Sequence, residues 1–158
     1  MPVASDIVES WIRPRVVMRR LLVRGASEPF AFTFLLIFLT LALAAVAPGL
    51  ARQAWLDGGA ALTPRLFASA LGLLATIPAW YLLAAIGHLV ARAFGGKGSF
   101  YGARLALFWS LLVVAPAMLA QGLVQGMAGA GQAAALLGLG VGLGFIVLWV
   151  QTMREAES

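Results

Sequence analysis

The chain has 158 residues, 62% of them hydrophobic and 11% charged, with a formal net charge of +5. Soluble domains carry about 25% charged residues, so this composition excludes a water-soluble globular domain and leaves one compact membrane domain with no room for a second folded unit. Cysteine is absent, which removes disulfides, thiolate metal sites and thiol nucleophiles.

Residues 1–28 form a basic, partly amphipathic segment. Asp6 is expected to cap a short helical turn, and Pro14 restarts the chain as a first-turn proline. Val17, Met18, Leu21 and Leu22 share one side, so the segment is expected to lie along the membrane interface with snorkelling arginine stems. Arg13, Arg15, Arg19, Arg20 and Arg24 are the candidate contacts to anionic lipid head groups. No base-stacking aromatic stripe accompanies them, so nucleic acid is not an expected partner. Ten arginines against the lone Lys97, in an Ala- and Gly-rich chain, point to a GC-rich coding sequence and a bacterial source.

The first span is expected from Phe30 to about Leu50, opened by Glu28 and Pro29 and closed by Pro48-Gly49. Its length exceeds the ~7–15 residues of a signal-peptide core, and Pro48 spoils the cleavage site that Ala45-Val46-Ala47 mimics, so it reads as a retained span. A second span follows from about Leu66 to Val90, with Thr63-Pro64 opening it. The third runs from about Ala103 to Gln125 and the fourth from about Ala133 to Gln151. Between Leu105 and Met153 no Asp, Glu, Lys or Arg occurs. That is enough for two crossings and a turn, at ~20 residues per crossing of a ~30 Å hydrocarbon core. The expected fold is therefore all-α: a polytopic integral membrane protein with four transmembrane helices behind a short amphipathic N-terminal segment. Its parts are residues 1–28 (cytoplasmic), 29–152 (membrane domain) and 153–158 (cytoplasmic tail). With both termini on one side, that side holds nine basic residues and the other only Arg52 and Arg65. The positive-inside rule then places both termini in the cytoplasm, in a bacterial inner membrane.

Intramembrane ionisable residues are the default functional suspects, and the spans contain one, His88. It sits beside the end of the second span and reads first as a structural or interfacial histidine. No second His and no carboxylate lies in any span, so neither a metal site nor a catalytic constellation is expected, and no cofactor. Gly95-Gly96-Lys97-Gly98-Ser99 departs from a phosphate loop, because Gly98 separates the lysine from the serine and no strand precedes it. It reads as a turn between two helices, with its glycines supplying positive φ and Ser99 capping the next helix. Gly122 with Gly126, Gly138 with Gly142, and Gly140 with Gly144 are each four apart, the spacing that lets another backbone approach in lipid. These glycines are the candidate packing or partner face. Pro78 and Pro116 lie near the centres of consecutive spans and are expected to kink them.

The stretch His88 to Phe100, followed by Ala103, Ala106, Trp109 and Pro116, resembles the bacterial branch of the YIP1 family. There a helix ends in a turn of the form Gly-Gly-x-Gly-Ser-Phe, here Gly95, Gly96, Lys97, Gly98, Ser99 and Phe100, and the next helix carries a central proline. Arg13-Pro14-Arg15 is also similar to that family. The resemblance implies a small polytopic bundle without catalytic residues. Eukaryotic relatives are linked to vesicle trafficking, but their Asp-Leu-Tyr and Gly-Tyr motifs are absent here, so that role does not carry over. The expected function is that of a non-catalytic organiser, adaptor or accessory subunit, working through lipid contacts and a membrane-protein partner or self-association. The alternative is a small transporter or channel component using the kinked second and third spans, with His88, Gln121 and Gln125 as wall groups.

Overall fold

The computed structural model describes residues 3–59 and 61–158. Its elements are α1 (Val3–Ile12), α2 (Pro14–Leu22), α3 (Glu28–Leu56), α4 (Leu62–Ala75), α5 (Ile77–Ala93), α6 (Phe100–Ala128) and α7 (Gln132–Ala156). No strand occurs among the described residues. Four segments are long and apolar enough to cross a membrane: α3, α4 with α5, α6, and α7. The expected all-α, four-span architecture is the one observed.

The bundle is built around α3 and α6. In their most apolar windows 39% and 56% of residues are buried, against 6% for α4–α5 and 11% for α7. The outer helices therefore present most of their side chains to lipid. Phe34 meets Trp109 edge to face at 5.0 Å in the central seam, a favoured geometry for aromatic rings. Farther along, the two backbones converge because α6 has no side chain at Gly122 or Gly126. A Cβ on Gly122 would strike the Ala45 carbonyl oxygen, and one on Gly126 would lie 2.5 Å from Pro48 Cβ. This is the close approach that small residues permit in a membrane.

Three helix boundaries differ from the sequence reading. First, α3 does not close at Pro48-Gly49 but continues to Leu56. A proline removes one ladder bond, and in a helix whose other backbone groups are satisfied internally the chain runs on. The extension carries Arg52 to the end of α6, where its Nη1 donates to the Met127 carbonyl oxygen at 3.0 Å. A basic side chain thus covers one of the free carbonyls of that helix end.

Second, at the expected kink of Pro78 the helix is broken for one residue, Thr76, whose backbone stays in the helical region at φ −78° and ψ −12°. Pro78 falls in the first turn of α5, where a proline's missing N–H costs nothing. The Thr76 hydroxyl donates to Leu73 O at 2.6 Å and accepts from Trp80 Nε1 at 2.9 Å, so the break satisfies its own polar atoms. By contrast, Pro116 lies inside α6 without interrupting it. Third, α7 passes the expected boundary at residue 152 and reaches Ala156. Arg154 is in its last turn rather than in a tail.

The N-terminal segment also departs from expectation. Asp6 lies within α1 rather than capping it. Helices α1 and α2 meet at Pro14 and fold back on each other, joined by Arg20, which binds Asp6 Oδ1 at 2.7 Å and Glu9 at 3.1 Å. The apolar side does not face lipid: Val17, Met18 and Leu21 are buried in the common core. Ser10 accepts a hydrogen bond from Trp109 Nε1 at 2.9 Å and donates to Asp6 O at 2.7 Å. Trp109 is nine residues into α6, roughly 14 Å along its axis at ~1.5 Å per residue. The segment is a helical hairpin packed against α6 and α7, and Trp11 near the end of α1 reaches Gly144 in the middle of α7.

Candidate functional site

The polar groups that converge most tightly lie beneath the α5–α6 turn. Helix α5 ends conventionally: Gly95 adopts φ +93°, and Gly95 and Gly96 donate their N–H groups to Arg92 O and Ala91 O, each at 3.0 Å. Such a left-handed glycine satisfies the last helical carbonyls. Helix α6 begins at Ser99, whose hydroxyl oxygen accepts from Gly102 N at 3.1 Å, the cap expected from sequence. Between these two ends the chain wraps around Glu157, which arrives from the end of α7.

Glu157 is held at three points. Its Oε1 lies 2.6 Å from His88 Nδ1, its Oε2 accepts from Gly98 N at 3.1 Å, and its backbone carbonyl accepts from Lys97 N at 2.8 Å. The side chains of His88 and Glu157 are only 3% and 6% exposed. The Phe100 ring sits 4.3 Å from the imidazole, closing the chamber. A buried carboxylate is tolerable here because a ring nitrogen and a backbone amide supply the hydrogen bonds that water would otherwise give.

This arrangement changes the meaning of the glycines. In the turn only Gly95 uses a positive φ. Gly96 and Gly98 are small for a different reason: a Cβ at Gly96 would come 2.8 Å from Glu157 Oε2, and one at Gly98 would strike Ala156 O. They clear a seat for the end of α7. The backbone amides of Lys97 and Gly98, which a phosphate loop would offer to phosphate, are occupied by Glu157. Chemically the constellation is a latch. It brings no nucleophile to a cleft, and among the described residues no group of three or more His, Cys, Asp or Glu could hold a metal ion.

The other sequence candidates are dispersed. Gly138 faces the Gln121 side chain and Gly144 faces the Trp11 ring, whereas nothing lies within 4 Å of a Cβ at Gly140 or Gly142. The four-residue pairs on α7 thus do not act as pairs; one member of each is used within the bundle. Of the N-terminal arginines, Arg19 Nε donates to Glu155 Oε1 at 2.7 Å, a bond that raises its guanidinium above the usual range. Arg20 is bound to Asp6 and Glu9, and Arg24 stands 5.6 Å over the Phe30 ring. Arg13 and Arg15 are exposed. The polar groups of the transport reading do not meet: His88 binds Glu157, Gln121 reaches Ala134 O on α7 at 3.4 Å, and Gln125 lies beside Gly49 on α3.

Sequence reasoning missed Glu157 and Ser10. Glu157 is 69 residues from His88, and no local spacing links them. The available signal was the repeated glycine in the turn, which exceeds what one positive φ requires.

A family model described as Yip1 domain matches residues 8–157. The chain belongs to the Yip1 family. Positions that carry the resemblance have structural work in this Yip1 protein: Ala103, Ala106 and Trp109 are wholly buried on α6, and the Gly-Gly-Lys-Gly-Ser-Phe turn receives Glu157, at the far edge of the matched region. No curated protein matches the chain, and no solved structure does. It is a multi-pass membrane protein of that family.

Proposed function

We propose that this Yip1-family protein is a non-catalytic organiser, adaptor or accessory subunit of a bacterial inner membrane, with both termini cytoplasmic. The observation that carries the reading is the lipid-facing surface of α7. Leu136, Leu139, Leu143, Ile146 and Val147 are exposed there; Gly140 stands open beside Leu136 and Leu143, and Gly142, on another face, beside Leu139 and Ile146, each with nothing within 4 Å of a Cβ. Where lipid tails are as apolar as leucine, a surface with such gaps associates through van der Waals fit to another helix. The partner is another membrane protein or a second copy of the chain. Arg13 and Arg15, exposed on the N-terminal hairpin, add contact to anionic head groups.

Cross-linking in native membranes, followed by gentle solubilisation and identification of the captured chains, tests the reading. Gly142→Leu fills the gap and is expected to abolish the captured complex, while Leu143→Ile leaves it intact. Equal yields from the two variants would count against an α7 interface.

A further inference from the structure

Beside the latch, α5 and α7 do not close on each other. One part of the space between them, about 380 Å³, is walled by Gly87, Val90, Phe94, Trp149, Val150 and Met153. A second part, about 280 Å³, shares Ala91, Phe94, Met153 and Arg154 with the first and ends on Gly95, Gly96 and Glu157. Together they make one amphipathic furrow on the outside of the bundle, greasy along Gly87 to Phe94 and polar at the turn. Gly87 and Phe94, which caps α5, are seven positions apart, roughly 10 Å along the helix.

The polar end has a distinct charge pattern. Glu157 lines it, but its carboxylate is already taken by His88 and Gly98 N. Arg154 lines both parts, and among the described residues no carboxylate pairs with it. Arg92 and Lys97 are exposed on the adjoining end of α5 and the turn and are likewise unpaired among the described residues. The carbonyl ends of α5 and α7 oppose an anion. They are quenched by the N–H groups of Phe94, Gly95, Gly96 and Glu157. A surplus of unpaired cations at the head of an apolar channel matches a ligand with a phosphate and a hydrocarbon tail.

We infer that this furrow is a binding site for an anionic phospholipid. One acyl chain lies along Gly87, Val90 and Trp149, and the phosphate sits at Arg154, with Arg92 and Lys97 adding to the field. The apolar wall is adjustable by mutation: a Cβ at Gly87 would come 2.9 Å from Met153 Cε and 3.0 Å from Trp149 Cζ2. Gly87→Leu therefore drives both side chains into the space the acyl chain would use.

The test uses the full chain in a non-ionic detergent, titrated with phosphatidylglycerol or with phosphatidylcholine of the same chains, and bound lipid is counted by native mass spectrometry. The expected result is preferential retention of phosphatidylglycerol. Arg154→Gln is expected to weaken it about five-fold, the effect of one basic residue near an anionic head group. Gly87→Leu lowers retention of both lipids, and Arg65→Gln, on α4 and paired with Asp57, leaves it unchanged. Inorganic phosphate at equal concentration neither competes nor binds. Equal retention of the two lipids, equal losses in Arg154→Gln and Arg65→Gln, or competition by inorganic phosphate overturns the assignment. Should Arg154→Gln fail to fold, a photoactivatable phosphatidylglycerol on the unaltered protein decides. Adducts confined to residues 87–94 and 149–154 support the site, and adducts elsewhere, or cross-links to a second copy of the chain at those residues, overturn it.

Discussion

At the scale of single residues, the latch makes a quantitative prediction. His88 and Glu157 are both buried and each is the other's partner at 2.6 Å. Removing one leaves the other with unmet hydrogen-bonding needs, whereas removing both does not repeat the loss. A double-mutant cycle with His88→Ala and Glu157→Ala is expected to return a coupling of about 0.5–3 kcal/mol, read from thermal unfolding in detergent. Additive losses would mean that the contact contributes nothing. Gly98→Ala makes a separate prediction: its methyl meets Ala156 O, and overpacking of this kind costs about 1–3 kcal/mol. Gly95→Ala is strained instead through φ +93°, so the two glycines fail for different reasons. His88 was legible in the sequence as the one ionisable group in a span. Its partner was not, because hydropathy assigns a carboxylate near the end of a chain to water, and only three-dimensional closure of α7 over the turn makes it buried.

At the scale of helices, the α3–α6 seam is the contact most dependent on missing side chains. Gly122→Ala pushes a methyl against the Ala45 carbonyl and is expected to destabilise the bundle by about 1–3 kcal/mol. The same change at Gly142 meets nothing and is expected to be neutral or slightly favourable, since alanine is the better helix former by about 1 kcal/mol. Comparing the two melting temperatures checks the assignment of seam and outer surface. A third prediction concerns α1: Ser10→Ala removes the acceptor of Trp109 Nε1, leaving a buried donor unmet at a cost of about 1–3 kcal/mol. Residue 10 is also a probe position, since a thiol there keeps a weak acceptor for Trp109 Nε1. The chain has no cysteine, so a single Ser10→Cys substitution reports directly whether α1 stays shielded from a soluble thiol reagent. Four hydrophobic runs made the spans legible at this scale. Their ends and breaks were harder to read, because Pro48, Pro78 and Pro116 look alike in sequence. Pro48 and Pro116 stand inside continuous helices, whereas Pro78 falls in the first turn after the break at Thr76.

At the scale of the whole molecule, basic residues are distributed unevenly between the two ends. The two basic residues on the side of the α3–α4 and α6–α7 connections are both engaged: Arg52 with Met127 O and Arg65 with Asp57 at 2.6 Å. Arg13, Arg15, Arg92, Lys97 and Arg154, at the opposite end, have no carboxylate partner among the described residues. The expectation of cytoplasmic termini rests on the count of basic residues, nine against two, because carboxylates contribute little to topology. Reporters attached separately before residue 3 and after Ser158 are expected to give the cytoplasmic signal in both cases; opposite signals would require an odd number of crossings. The N-terminal hairpin was misread at this scale. An amphipathic stripe on a basic helix looks the same whether its apolar side meets lipid or protein. What decides is whether α6 and α7 offer Trp109 and Glu155 as polar anchors.

The latch also imposes an order on biogenesis. Its two halves are made 69 residues apart, so His88 enters the membrane long before Glu157 has been synthesised. Until then the imidazole and the amides of the α5–α6 turn stay without their acceptor, and the seat at Gly96 and Gly98 stays empty. A nascent chain stalled anywhere in α7 consequently exposes an open, polar-lined notch that the finished protein conceals.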